Sequence, residues 1–501
     1  MRRVYFWALW GISALAWLIA IAHLAPSMNG IDGFYFRDAG WNLAAYGKFE
    51  SAGLVFMRDL TPRFYSHYTP LMPLLFAAYA GIFPRNEYAG TIFNFLVALF
   101  ADGVGLFLVL RQPPGRLRTI AALSLALLPA VLVTNDRPEA LGLAFGGLTL
   151  AVAAARRPRP ILTGLMIALC FMAHPFTAVL AGVWVAAFWF SRSGPEEQGR
   201  QRALRRLILT GSVCLVAIAV VALVYYAIDR TSLSRFLAHV QGSDRGVGWI
   251  NAIKSRGMLL HEQLGLRSGP VEMERHVFSL CGFAALAGWA WVRRKRLDAR
   301  TWPFVAAGLA CPLMALGFFP AEPGYVVLIG LLVPYGLLAA NGISGKLTNP
   351  ALGLLLFEML INSPAAAINV VQQFEQLPSY RLARAQPSYL LSQLKSPDAI
   401  VAVEYGSYDL FKPTFRHLIY VRNAVDDAHY KSLAAIANCY AGFHGAAGEV
   451  RPLPPELNPA EYRVIQPAPA HLWITIFGHR VMSGQWGYGC DLYLHTEGGR
   501  Q

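Results

Sequence analysis

A chain of 501 residues that is 55% hydrophobic and 14% charged, with a mean hydropathy of +0.41, lies outside the composition of a soluble domain. Its formal charge of +14 does not point to nucleic acid, because the Lys and Arg residues cluster in short loops between apolar runs, the pattern of membrane topology. Six cysteines with no CxxC or Cys/His spacing argue against a disulfide scaffold and a zinc site.

The N-terminus carries Arg2 and Arg3 ahead of an apolar run over 4–24, long enough to cross about 30 Å of hydrocarbon. It reads as an uncleaved anchor; the competing reading is a signal peptide cut near Ala20-Ile21-Ala22. The first polar loop, 31–70, sets Asp32, Asp38, Arg58, Asp59, Arg63 and His67 among aromatic residues, where charged groups are costly unless they serve a function. The run 71–83 between Pro70 and Pro84 is too short to cross and predicts an interfacial or re-entrant helix.

Apolar runs follow near 88–110, 119–134, 139–155, 160–173, 175–190, 207–228, 276–292, 302–318, 324–340 and 350–362. With the first run they predict about eleven spans. Basic clusters at Arg111 to Arg118, Arg156 to Arg159, Arg192 to Arg206, Arg293 to Arg300 and Lys346 fall at every second loop, so the positive-inside rule places them and the N-terminus in the cytoplasm. The exception is 229–275, an outer stretch with Arg230, Arg235, Arg245, Lys254, Arg256, Arg267 and Arg275, charges that suit an anionic lipid substrate.

From about Pro378 the chain turns polar. Alternating or β-branched runs over 399–403, 417–421, 462–465 and 473–477, and a helical stretch over 427–438, predict a small α/β domain. An odd number of spans puts it outside the cytoplasm with the first loop. Cys439 and Cys490 are then either a disulfide or two buried thiols. The expected fold is a polytopic α-helical protein of the bacterial inner membrane: a transmembrane catalytic domain over 1–362, with a first outer loop over 25–87, and an extracytoplasmic α/β domain over 363–501.

On this topology the outer face collects Asp32, Asp38, Arg58, Arg63, His67, Asp136, Arg137, Glu139 and His174. Asp32 and Asp38 lie among aromatic residues that can exclude water, which suits a general base acting on an acceptor hydroxyl. The plainer reading of Asp38 is helix capping or an ion pair with Arg37, and Asn42 shares its helical face. Arg58, Arg63 and Arg137 either neutralise a phosphate, which a guanidinium can grip through two oxygens, or anchor the chain at the headgroup boundary. Asp136 and Glu139 flank Arg137 in a tight turn. His67 and His174 are either metal ligands or donors to a leaving phosphate, or hydrogen-bonding residues at helix ends.

Several segments resemble the membrane-embedded GT-C glycosyltransferases, particularly the protein O-mannosyltransferase and lipid A aminoarabinose transferase group. Asp32, Phe36, Asp38, Gly47 and Phe49 fall in the register of that family's first outer loop, and His67-Tyr68-Thr69-Pro70-Leu71-Met72-Pro73 is similar to its proline-containing lead into a short apolar helix. Asp136-Arg137-Pro138-Glu139-Ala140-Leu141 and Ala173-His174-Pro175 also look like its later segments, so the resemblance covers roughly residues 1 to 230. It implies a GT-C-like fold and transfer of one sugar from a polyprenyl-phosphate donor to a lipid, polysaccharide or protein acceptor, with Asp32 as the catalytic carboxylate. Arg137, Arg58, Arg63 and His174 would bind the donor phosphate. His67, Asp136 and Glu139 would contact a divalent cation or the leaving group. Gly33 departs from the pattern, since many relatives carry a second acid there.

The alternative from another class is a secondary transporter or lipid flippase. Such a protein is expected to show inverted repeats and charges at mid-span. The sequence carries no evident repeat, and Asp102 and Glu358 are the charged residues inside apolar runs.

Overall fold

The computed structural model describes residues 2–22, 26, 36–51, 63–66, 68–111, 119, 122, 138–155, 157–193, 197–241, 292, 377–403, 407–420, 433–440, 458–466, 473–476, 479–482 and 486–496. The helical part comprises α1 (Arg2–Ala22), α2 (Asp38–Tyr46), α3 (Leu71–Ile82), α4 (Ala89–Leu110), α5 (Glu139–Ala153), α6 (Pro160–Ala173), α7 (Pro175–Arg192), α8 (Glu197–Ile228) and α9 (Ser232–Gln241), with the short antiparallel pair β1 (Glu50–Ser51) and β2 (Arg63–Phe64) after α2.

The eleven-span, GT-C-like architecture is overturned. Among the described residues two helices, α4 and α8, are long and apolar enough to cross a membrane. The runs at 139–155, 160–173 and 175–190 fold into helices of 15, 14 and 18 residues; at about 1.5 Å per residue they reach only about 21–27 Å, against about 30 Å of hydrocarbon. They bury Leu141, Ala144, Leu180, Ala181 and Trp184 against one another and against α4. Hydropathy alone does not separate such core helices from spans. In α1 the apolar stretch Trp7–Ile19 is likewise short. Apart from Thr119, Ala122 and Val292, the runs expected over 119–134, 276–292, 302–318, 324–340 and 350–362 lie outside the described residues.

The short helix after Pro70 is α3, and it packs into the core through Met72, Phe76 and Tyr79. Its partner α2 approaches so closely that a β-carbon on Gly40 would overlap the Pro73 carbonyl oxygen, which only a residue without a side chain allows. Trp41 stacks on Phe76 with ring centroids 6.0 Å apart, and Phe76 meets Phe93 of α4 edge-on at 5.2 Å. Pro160 and Pro175 sit at the first positions of α6 and α7, where the absent N–H costs nothing. Helix α8 differs: Ile208, Leu215, Val216, Val220 and Leu223 are each more than half exposed, an apolar face suited to lipid rather than water.

The C-terminal part is built on helices α10 (Leu377–Ala383), α11 (Gln386–Leu394) and α12 (Tyr408–Phe411), and on strands β3 (Ile400–Val403), β4 (His417–Tyr420), β5 (Ala435–Tyr440), β6 (Tyr462–Gln466) and β9 (Trp486–His495). These strands form one sheet in the order β4-β3-β5-β9-β6, with β3 parallel to β4 and β5 and with β9 antiparallel to its neighbours. A separate antiparallel hairpin pairs β7 (Trp473–Ile476) with β8 (His479–Met482).

The helix expected over 427–438 is corrected at its end, since 435–438 belong to β5; residues 427–432 lie outside the described residues. Ala435, Ile436 and Ala437 are fully buried between β3 and β9, so sheet position overrides the helical preference of alanine. Gln386 clips α11 to β9, donating from Nε2 to the Cys490 carbonyl at 2.5 Å and accepting from the Cys490 N–H at 3.2 Å. Cys490 is disulfide-bonded, and the pairing of Asn438 with Asp491 runs Cys439 along the same stretch of ladder.

Candidate functional site

Arg37, Asp38 and Asn42 of the first loop meet the C-terminal part in a buried charge cluster. Two helices each offer an i, i+4 pair on one face: Asp38 and Asn42 on α2, Tyr408 and Lys412 at α12. Lys412 Nζ lies 2.6 Å from Asp38 Oδ1 and donates to Asn42 Oδ1 at 2.9 Å. Tyr408 donates its hydroxyl to Asp38 Oδ1 at 2.9 Å, and Ser51 of β1 donates to Oδ2 at 2.7 Å. Arg37 forms a second ion pair, 2.8 Å from Asp409 Oδ2.

Asp38 and Lys412 are each 1% exposed and Arg37 is wholly buried. Burial pushes the Tyr408 hydroxyl well above its usual range, and the Asp38 charge beside it adds to the shift, so Tyr408 stays protonated and can donate. Burial also raises the Asp409 carboxyl, against the opposing pull of the Arg37 guanidinium. The plainer reading of Asp38, helix capping or an ion pair with Arg37, gives way to the pairs Asp38–Lys412 and Arg37–Asp409. With both oxygens of Asp38 occupied and no open face toward an acceptor, the carboxylate acts as an anchor between the two parts of the chain. Asp409 and Lys412 escaped the sequence reading because nothing local links 407–412 to a loop some 370 residues upstream; the one available signal was the i, i+4 match.

His417 lies beside this cluster on β4. Burial lowers its pKa from the ordinary 6.5, and the Arg416 and Lys412 cations lower it further. The folded state therefore binds the proton less readily than the unfolded chain, so its stability contribution is held above about pH 6.5 and lost as pH falls through the lowered folded value. The thermal midpoint is expected to drop as pH falls below about 6.5, and the drop to flatten in His417→Gln.

A second feature lies at the other end of the loop. Tyr68, Thr69 and Pro70 join Phe171 and Met172 of α6, Ile218, Val221, Ala222 and Tyr225 of α8, and Ser232, Leu233, Phe236 and Leu237 of α9 around an apolar cavity of about 150 Å³. Thr69 donates to the Ala173 carbonyl at 3.0 Å, and Tyr68 lies 5.2 Å from Phe36 and 6.1 Å from His174, ring to ring. Phe64 of β2 meets Tyr225 edge-on at 5.0 Å. His174 is 1% exposed and breaks the chain between α6 and α7 in an extended conformation.

Of the predicted site residues, the structure places His174 beside Tyr68 of the cavity wall, outside the cavity lining itself, and Asp38 in the charge cluster. Arg63 lies in β2, next to Phe64, and Glu139 opens α5; nothing is described of either side chain. Asp32, Arg58, His67, Asp136 and Arg137 lie outside the described residues. Among the described residues no group of three or more His, Cys, Asp or Glu is arranged to hold a metal ion. The chain matches no protein-family model and no curated protein sequence.

Proposed function

We propose that this chain is a membrane-associated glycosyltransferase moving one sugar from a polyprenyl-phosphate donor to an acceptor hydroxyl on a lipid, polysaccharide or protein. The observation that carries the reading is the apolar cavity: residues of the first polar loop form one wall, and α8, with its outward apolar face, forms another. An isoprenoid tail suits such a wall. A lipid phosphate is already a good leaving group, so the protein needs mainly a base for the acceptor and positive charge for the phosphate. Asp32 is assigned the first role, Arg58, Arg63, Arg137 and His174 the second. Direct displacement inverts the anomeric centre, because a retaining route needs a covalent nucleophile. The protein acts at the inner membrane of a bacterium, with its C-terminal domain on the outer side.

The test supplies purified protein with radiolabelled polyprenyl-phosphate sugars and membrane extract. Wild-type protein is expected to transfer label, and Asp32→Asn to lower the rate by about 10²–10⁴-fold, the usual worth of a general base. Transfer that persists unchanged in Asp32→Asn removes that residue from the mechanism.

One observation favours transport as the second reading: Asp102 of α4 is fully buried and, among the described residues, neither carboxylate oxygen has a hydrogen-bond partner, as in groups that carry protons or ions through membranes. Solute uptake into vesicles that Asp102→Asn abolishes, with no sugar transfer from any donor, would select it.

A further inference from the structure

The cavity carries two polar groups its apolar walls leave unanswered. Among the described residues the buried hydroxyls of Tyr225 and Ser232 have no hydrogen-bond partner, and Ser232 is only 1% exposed. Native interiors seldom leave such groups unpaired, since each costs desolvation that nothing returns. Both lie at the corner between α8 and α9, where the apolar run of α8 ends at Ile228 and the chain turns polar at Asp229 and Arg230. A chain end at that level of a spanning helix meets the headgroup layer. Ser232 also opens the ten-residue α9, and a helix start favours negative charge.

We propose that this corner is a binding site for a single-chain amphiphile with a phosphate head. Its hydrocarbon segment lies between Phe171, Ile218, Ala222 and Leu237, and its phosphate oxygens accept hydrogen bonds from Tyr225 and Ser232. An apolar cavity of this volume takes a guest of about benzene's size, so it holds a short stretch of one chain, the remainder following the exposed face of α8 into lipid. The biological meaning of the site rests on the transferase reading, in which the amphiphile is the donor; the binding itself does not.

The test uses the full chain in nanodiscs and a dodecyl phosphate bearing a photoactivatable diazirine on its chain, with the labelled residues mapped by mass spectrometry. Label is expected on the α6, α8 and α9 walls, displaced by excess dodecyl phosphate but not by inorganic phosphate or dodecane. Ser232→Ala and Tyr225→Phe are each expected to weaken that displacement about tenfold, the worth of one hydrogen bond to a charged group. Neither should lower the thermal midpoint, because each removes an unpaired hydroxyl. Ala222→Phe, which fills the cavity, should abolish labelling.

Labelling elsewhere, equal displacement by dodecane, displacement by inorganic phosphate alone, or hydroxyl variants that bind as tightly as wild type would overturn the assignment. A fall in thermal midpoint in both hydroxyl variants would do so too, since it would mean the hydroxyls already have partners. Intact labelling without sugar transfer counts against the transferase reading alone, and transfer without labelling against this site alone.

Discussion

Lys412→Met lowers the unfolding free energy by about 3–5 kcal/mol, the cost of leaving one member of a buried ion pair without its partner. The substitution conserves length and removes the ammonium that lies 2.6 Å from Asp38 Oδ1 and 2.9 Å from Asn42 Oδ1. Asp38 keeps its hydrogen bonds from Tyr408 and Ser51, but these neutral donors do not offset a charge that is 1% exposed. Adding Asp38→Leu should recover much of the loss, because paired apolar replacements in such sites are often neutral. Urea unfolding of the four proteins of that cycle measures the coupling. A Lys412→Met protein as stable as wild type would mean that α12 does not hold α2.

The second large effect is expected at Gly90, which no sequence pattern singles out. A β-carbon there would overlap the Arg37 guanidinium and come within 3.0 Å of Asp409 Oδ2. A flexible side chain could ordinarily swing away, but Arg37 is wholly buried and paired with Asp409 at 2.8 Å, so moving it breaks the pair. Gly90→Ala gains about 1 kcal/mol of helix propensity and loses the 3–5 kcal/mol of a broken buried pair, a net cost of about 2–4 kcal/mol. In an Asp409→Asn background, where the pair is already weakened, the same change should cost distinctly less. Equal costs in the two backgrounds would show that Arg37 yields without leaving Asp409. Both results are read as shifts in the denaturation midpoint at constant slope.

The two predictions share a geometry that explains what reading the chain alone can reach. The aromatic and charged character of 31–70 marked the loop as unusual, and the i, i+4 spacing of Asp38 and Asn42 placed them on one face. Their partners in 407–412 come from the far end of the chain, and no local periodicity reports a contact between segments that distant. The partner of Arg37 was out of reach for the same reason: sequence proximity offered Asp38 as one alternative, while packing delivers Asp409. At the cavity, Tyr225 and Ser232 are brought together by the packing of α8 and α9 with α6, which no local pattern reports.

By itself the sequence placed the ends of several apolar helices within a few residues, with Pro160 and Pro175 as starts, although the helix expected from 207 begins at Glu197, and its runs over 399–403 and 417–421 become strands over 400–403 and 417–420. These are local matters of periodicity and backbone chemistry, resolved within a turn or two of chain. Tertiary structure alone decided which apolar helices are core and which face outward, since α6 and α8 are both apolar yet one buries Ala168, Cys170 and Ala173 while the other exposes Leu215 and Leu223. It also decided that 435–438 is central strand rather than helix, and that Asp38 is an anchor held by Lys412. The physical reason is the same in each case: burial depends on neighbours that folding supplies, and both the hydrophobic gain of a side chain and the cost of its charge depend on burial.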